Sequence, residues 1–260
     1  MPSIRKSPLL RPLREAYANR RHPAYHVLTW LFKGRRVSMF DVGAHIGTST
    51  EQYSKWFPLA TFQLFEADPT VAAVCAQRLP PDPRIQLNTF ACGNEEGTAQ
   101  FFPSKALQNG TSELTAGACG SLLAPTGVNV HHPYIEFKDP IQVRVRRLDD
   151  WIQETGAVPP AFLHMDVQGA ELLVLRGLGL NLETLEAVWL EVENQELYAN
   201  QPLKADIEEF FHAHGWTKVV DTVGTLDGDQ LWVSKAALAK LKGFGWALHK
   251  VLYFPVFPIF

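Results

Sequence analysis

Residues 39–47 read MFDVGAHIG, and this stretch decides the fold. A short apolar run ends at Asp41, and two glycines, Gly43 and Gly47, follow four residues apart. A buried strand that turns tightly and opens a helix at Thr48 gives this pattern. It is the usual way an α/β protein meets a nucleotide-like ligand.

The spacing separates the ligands such a turn takes. A dinucleotide or ATP site needs free backbone N–H groups for phosphate, typically as G-x-G-x-x-G or with a G-K-[ST] ending. Here a carboxylate precedes the glycines, which repels a pyrophosphate and attracts a cation. S-adenosylmethionine carries a sulfonium and an ammonium and no phosphate. The turn therefore favours this methyl donor over NAD or ATP.

Extended and helical patterns alternate outward from the turn. Residues 37–42, 61–65 and 84–90 read as strands, with helices over 48–56 and about 70–79. The second helix is entered through Asp68-Pro69, a cap followed by a first-turn proline. Residues 98–102 and 141–145 read as further extended segments. Asp149 is expected to cap the helix of LDDWIQE. Strands follow at 161–165 and 186–192, each trailed by a helix, at 169–178 and 204–214. Residues 217–221 and 230–234, joined through Gly224 and Gly228, read as an antiparallel hairpin. This order predicts an α/β fold: a doubly wound, mostly parallel sheet with a C-terminal antiparallel hairpin. Between the halves, residues 104–140 are rich in Gly, Ser and Pro without periodicity, and an insertion of this length is usually functional.

The 260 residues suit one core with appended ends. The expected division is a basic N-terminal arm over 1–36, a catalytic domain over 37–235 and an aromatic tail over 236–260. With 46% apolar and 20% charged residues, the chain is not of the disordered class. Residues 1–36 hold nine Lys or Arg against the single acid Glu15. Such an arm can touch an anionic surface, or simply pack on the domain as a solvated helix. Cys75, Cys92 and Cys119 form no C-x-x-C pair and no signal peptide precedes them, which points to reduced thiols in the cytoplasm. No apolar run reaches the roughly 18 residues of a membrane span. The ending FGWALHKVLYFPVFPIF is broken by His249, Lys250 and two prolines, and suits packing or an interface.

In such a sheet the ligand lies across the carboxyl ends of the strands. Glu66, in LFEADP, stands where it can accept hydrogen bonds from both ribose hydroxyls. Small Ala91 and Cys92 leave room for a flat adenine ring. His164 and Asp166 end the strand of LHMDVQGAEL, and Glu191, Glu193 and Asn194 end the next.

These blocks carry a resemblance. DVGAHIG, FEADP, ACGNEEGTAQF, RRLDDW, HMDVQGAELLVLRG, WLEVEN and DGDQLWVSK occur in order over roughly residues 37–234. Together they resemble the FkbM-type family of S-adenosylmethionine-dependent methyltransferases. The resemblance implies a class I methyltransferase fold, Rossmann-like, and methylation of an oxygen on a sugar or natural-product scaffold. It implies that Asp41, Gly43 and Gly47, with His45 and Thr48 beside them, form the cofactor turn and that Glu66 is the ribose acid. Asp166, Gly169 and Glu171 fill the family's D-x-x-G-x-E block. The family usually has Asn where His45 stands, Pro where Ala67 stands and Lys where His164 stands.

An alcohol acceptor must lose a proton as it takes the methyl group, so a base beside the sulfonium helps by roughly 10²–10⁴-fold. Asp166 and His164 are the candidates, sharing one strand face, and Glu191 joins them as a catalytic candidate on the neighbouring strand. Asp166, Glu191, Glu193 and Asn194 are oxygen ligands of the kind Mg²⁺ accepts, yet no spacing gathers them, and no metal is expected. Ser121, His131, His132 and Tyr134 are candidates to touch the acceptor, a hydroxyl-bearing small molecule or glycan. No nucleic-acid partner is expected, whereas the basic arm and aromatic tail suit peripheral contact with a membrane. Two rivals remain: a scaffold that keeps the fold without catalysis, and an NAD-dependent oxidoreductase on the same sheet.

Overall fold

The computed structural model describes residues 22–106 and 117–241. Its centre is a seven-stranded sheet. Along the chain the sheet takes β1 (Ser38–Val42), β2 (Thr61–Phe65), β3 (Ile85–Asn88), β9 (Phe162–Met165), β10 (Ala187–Glu193), β11 (Thr217–Asp221) and β12 (Asp227–Val233). Their spatial order is β3-β2-β1-β9-β10-β12-β11. The five strands from β3 to β10 run parallel, and β12 is antiparallel to both its neighbours.

Parallel strands are covered on both faces, and β1 is buried at every position for that reason. Phe40 and Val42 join Leu163, Met165 and Leu190 on one face, under α5 (Leu148–Thr155), α6 (Glu171–Gly177) and α7 (Lys204–Ala213). Met39, Phe62, Leu64, Phe162 and Leu231 form the other face, under α1 (Tyr25–Phe32), α2 (Thr48–Trp56), α3 (Pro69–Arg78) and α8 (Lys235–Leu241). The chain winds outward from β1 to β3, then returns to β9 on the other side of β1. The crevice at the carboxyl ends of β1 and β9 is thus the switch point, where ligands bind in such sheets.

Asp68 caps α3 as expected, accepting from the amides of Thr70 and Val71, with Pro69 in the first turn. Asp149 does not cap its helix. Arg147 holds the N-cap position of α5, and Asp149 sits in the first turn, paired with the Arg147 guanidinium. The expected strand over 84–90 ends early. After β3 the chain leaves the sheet, Phe90 packs on Phe65 and Trp151, and β4 (Ala91–Cys92) pairs instead with β8 (Ile141–Arg146). β8 in turn pairs antiparallel with β5 (Gly97–Phe101), which makes a small sheet beside the crevice.

The hairpin forms, but β12 lies inside β11. Leu231, Trp232 and Val233 are fully buried while β11 is half-exposed, so burial puts the more apolar strand in the middle. Residues 104–140 hold more structure than their composition suggests: β6 (Ser104–Ala106), α4 (Val128–His131) and β7 (Ile135–Phe137).

Helix α1 lies within the stretch assigned to the basic arm, and it is part of the core. Val27, Leu28 and Phe32 are fully buried, and the helix packs on α8. The remainder of the arm up to residue 21, and the tail from 242, lie outside the described residues. No helix among the described residues is long and apolar enough to cross a membrane.

Candidate active site

At the switch point a cavity is lined by Gly43, His45, Glu66, Ala91, Phe101 and Asp166, with Gly117, Gly120 and Leu122 folded over it. Its volume is ≈ 80 Å³.

Gly43 has φ +76°, and a Cβ there would stand 1.9 Å from the main-chain oxygen of Asp166. Only glycine lets the turn pass this close to the end of β9. His45 also takes a positive φ, 49°, and its amide donates to Glu66 Oε2 at 2.8 Å. The Asp68 amide donates to Glu66 Oε1 at 2.9 Å. A carboxylate has about four acceptor sites on its two oxygens, so Glu66 suits donors such as ribose hydroxyls. Burial pushes the Glu66 carboxyl up to about 7, against the pull of these backbone donors. Ala91 and Cys92, small and buried, line the wall expected for the adenine.

The rest of the expected cofactor turn does other work. Gly47 does not line the cavity; a Cβ there would meet Leu79 at 2.7 Å and Cys75 at 3.1 Å, so its place is the packing of α2 on α3. Thr48 is exposed. Asp41 is buried, and both its oxygens are taken. Thr50 donates to Oδ2 at 2.5 Å, and His164 Nδ1 lies 2.7 Å from Oδ1. The carboxylate that the sequence offers to the cofactor's cation is thus spent inside the fold.

His164 shares that fate. It faces Asp41 across the β1–β9 register, packs its ring on Tyr53 and does not line the cavity. Asp166, two residues on, does line it. Of the strand-end candidates for a base, the structure brings Asp166 to the cavity and leaves His164 outside.

Beyond Asp166 lies a group of carboxyls. Glu191 stands opposite Asp229, and Glu193 opposite Asp227, in the β10–β12 register. Like charges in such positions repel. Burial, reinforced by the neighbouring acids, pushes Glu193 up to about 9 and raises Glu191 well above its usual range. Burial likewise carries Glu171 to about 7 and Asp229 to about 6. Glu193 is 2% exposed, and its Oε2 has no hydrogen-bond partner among the described residues. Glu171, in the first turn of α6, accepts from the amides of Val167 and Gly169.

Sequence reasoning missed Gln168, which joins these groups. Its Nε2 donates to Asp166 Oδ1 at 2.7 Å and to Glu191 Oε2 at 2.6 Å. The Tyr198 hydroxyl lies 2.8 Å from Gln168 Oε1 and 2.9 Å from the main-chain oxygen of Cys119, with one proton to share between them. Ser121 is buried, and its hydroxyl donates to the main-chain oxygen of Gln168. His132 and Tyr134 touch each other at the rim, with His132 Nε2 4.0 Å from Asp227, while His131 is exposed at the end of α4.

Residues 41–216 match the Methyltransferase FkbM domain. The chain belongs to the FkbM methyltransferase family. The match runs from Asp41 through Gly43, Glu66, the 104–140 insertion and the acids Asp166, Glu171, Glu191 and Glu193, and ends before Asp227 and Asp229. A relative, the 2-O-methyltransferase NoeI of Sinorhizobium fredii, is 33% identical over 172 residues, covering 65% of this chain and 69% of that protein. Among solved structures the chain is similar to precorrin-6y C5,15-methyltransferase from Geobacter metallireducens, with TM-score 0.45, 10% identity and coverage of 81% and 89% of the two chains. It is also similar to Aeropyrum pernix fibrillarin in complex with S-adenosyl-L-methionine, with TM-score 0.44, 11% identity and coverage of 85% and 74%. As an FkbM enzyme, the chain is an S-adenosylmethionine-dependent methyltransferase, and Gly43, Glu66 and Ala91 line its switch-point cavity.

Proposed function

We propose that this FkbM enzyme is an O-methyltransferase acting on a hydroxyl of a saccharide or glycolipid-type acceptor, with Asp166 as the base. The observation that carries the reading is the place of Asp166. Asp166 lines the cavity at the carboxyl end of β9, and its Oδ1 accepts from Gln168. The 2-O-methyltransferase activity named for the Sinorhizobium relative supports oxygen as the methylated atom.

S-adenosylmethionine, when bound, supplies an electrophilic methyl on a positively charged sulfur. Glu66 and the Gly43 turn hold and orient it. The acceptor oxygen forms its bond to the methyl carbon as the carbon–sulfur bond breaks, and the bonding pair stays on sulfur as a neutral thioether. The hydroxyl proton passes to Asp166. Alignment of the two reactants contributes several kcal/mol, and the base a further 10²–10⁴-fold, roughly.

The test is release of S-adenosylhomocysteine from S-adenosylmethionine in the presence of a panel of methyl hexosides. Asp166→Asn is expected to lose at least about a hundredfold in kcat while binding S-adenosylhomocysteine normally. Methylation of an amine or thiol in preference to every hydroxyl would overturn the reading. Thermal unfolding separates the rival ligands. S-adenosylhomocysteine at about a hundred times its dissociation constant adds about 2.7 kcal/mol, and NAD is expected to add nothing.

A further inference from the structure

The Gln168 side chain joins Asp166 to Glu191 and Tyr198. Its backbone is held in the left-handed region, φ 54°, directly before Gly169. Its amide orientation is fixed by its neighbours. Turning it over would point the carbonyl at two carboxyl groups and lose both donations. Both N–H bonds are therefore committed, one to Asp166 and one to Glu191. Without this donor the two acids lose a group that hydrogen-bonds both of them.

The other half of the clamp lies in the cover. Ser121 donates to the Gln168 main-chain oxygen and accepts from the Leu123 amide. Thr126 and Gly127 donate to the Leu197 carbonyl, Ala199 donates to that of Ala124, and Pro125 bridges to Tyr198. Segments 121–127 and 197–199 thus form one stitched unit, and Gln168 ties it to the site at two points. Tyr198 is fully buried, and burial raises its hydroxyl far above its usual range, so it stays a donor.

We propose that Gln168 is a positioning residue: it holds Asp166 and Glu191 in register for the acceptor and makes that register depend on the seated 121–127 and 197–199 segments. This rests on the reading of Asp166 as the base. An amide is suited to the task because it offers two N–H donors and one acceptor without charge. A glutamate would keep the Tyr198 bond, lose both donations and add a further acid.

The test uses the full chain with S-adenosylmethionine and the methyl hexoside that wild type turns over fastest, comparing Gln168→Leu and Gln168→Glu. Both are expected to lose at least about tenfold in kcat at pH 8, with KM for S-adenosylmethionine changed less than about twofold. Gln168→Glu should regain activity as pH falls, because a protonated carboxyl can donate again, whereas Gln168→Leu should not. Hydrogen exchange on the S-adenosylhomocysteine complex needs no acceptor. In Gln168→Leu, amides of 121–127 and 197–199 are expected to exchange about tenfold faster or more. Unchanged kcat in both variants, or parallel losses at every pH, overturns the proposal; so does unchanged exchange in Gln168→Leu. If wild type turns over no hydroxyl acceptor, the proposed function fails, and the exchange result alone decides whether the clamp exists.

Discussion

His164 Nδ1 lies 2.7 Å from Asp41 Oδ1, and the pair is buried between β1 and β9 at the foot of the cofactor turn. Thr50 closes the second oxygen of Asp41 from α2, and the Tyr53 ring covers the imidazole. Burial pulls the His164 ring toward neutrality, but the charge and hydrogen bond of Asp41, with Asp166 and Asp229 further off, outweigh it and raise its pKa. The neighbouring His22 shows the opposite case. Packed on Trp56 and Trp189, it is pulled down to about 4 by burial and by the charge of His164.

Removing the imidazole leaves a buried carboxylate with one hydroxyl for company. His164→Leu is expected to cost about 3–5 kcal/mol, lowering Tm by roughly ten degrees. Because the folded pKa is raised, this stabilisation is fully present below pH ~6.5 and is lost as pH rises through the folded value. His164→Lys, which keeps the positive charge, should remove that loss. Denaturation curves from pH 5.5 to 9 check both; an unchanged His164→Leu stability at pH 6 would refute the pairing.

Cofactor affinity should depend on Glu66. The carboxylate form accepts from the ribose hydroxyls, and with its pKa at about 7 the empty site holds a proton below neutrality. Binding of S-adenosylhomocysteine is expected to weaken by up to about tenfold per unit as pH falls below 7, and to level off above it. Glu66→Gln should bind more weakly at pH 8 and show a flat profile. Calorimetric titrations between pH 5.5 and 8.5 read this directly.

Gly43→Ala combines a positive φ with a Cβ 1.9 Å from the Asp166 carbonyl oxygen. The ends of β1 and β9 must separate to accept it. The expected result is a loss of stability of about 2 kcal/mol or more, together with loss of detectable S-adenosylhomocysteine binding. Gly34→Ala, at a positive φ with open space around it, should lose only the backbone part and keep binding. Parallel thermal melts with and without ligand distinguish the two.

Glu193 carries a proton in the folded chain up to about pH 9 and in the unfolded chain only up to about 4.5. Between these values the folded state binds more protons, so on this account stability falls as pH rises. Glu193→Gln mimics the protonated form. It is expected to match wild type at pH 5 and to be more stable at pH 9 by roughly 1–3 kcal/mol, a gain of several degrees in Tm. Equal melting temperatures at both pH values would refute the shift.

The fold was legible because β1, β9 and β10 announce themselves as continuous apolar runs ending in acids, with the Asp68-Pro69 cap and the glycine turn between helices and strands. What could not be seen was direction. Asp41 and His164 share a sheet face with the core beneath α2, and only the strand register shows that they meet each other rather than the cofactor. Gln168 sits in the middle of the D-x-x-G-x-E block, yet its role comes from a left-handed backbone and from Tyr198, thirty residues away. Ser121 drew notice as a loop hydroxyl but spends it on that same backbone. Contacts between distant segments leave no periodic trace, whereas burial does.

The seating of β12 between β10 and β11 sets the order in which the chain can finish. When a ribosome has delivered β11, its partner strand does not yet exist, and the edge of β10 stands open with Trp189 and Leu190 behind it. An open edge of this kind invites pairing with another chain. A transcript cut short before residue 227 therefore yields a product that is more than a shortened enzyme: it is a sheet with its cohesive side uncovered.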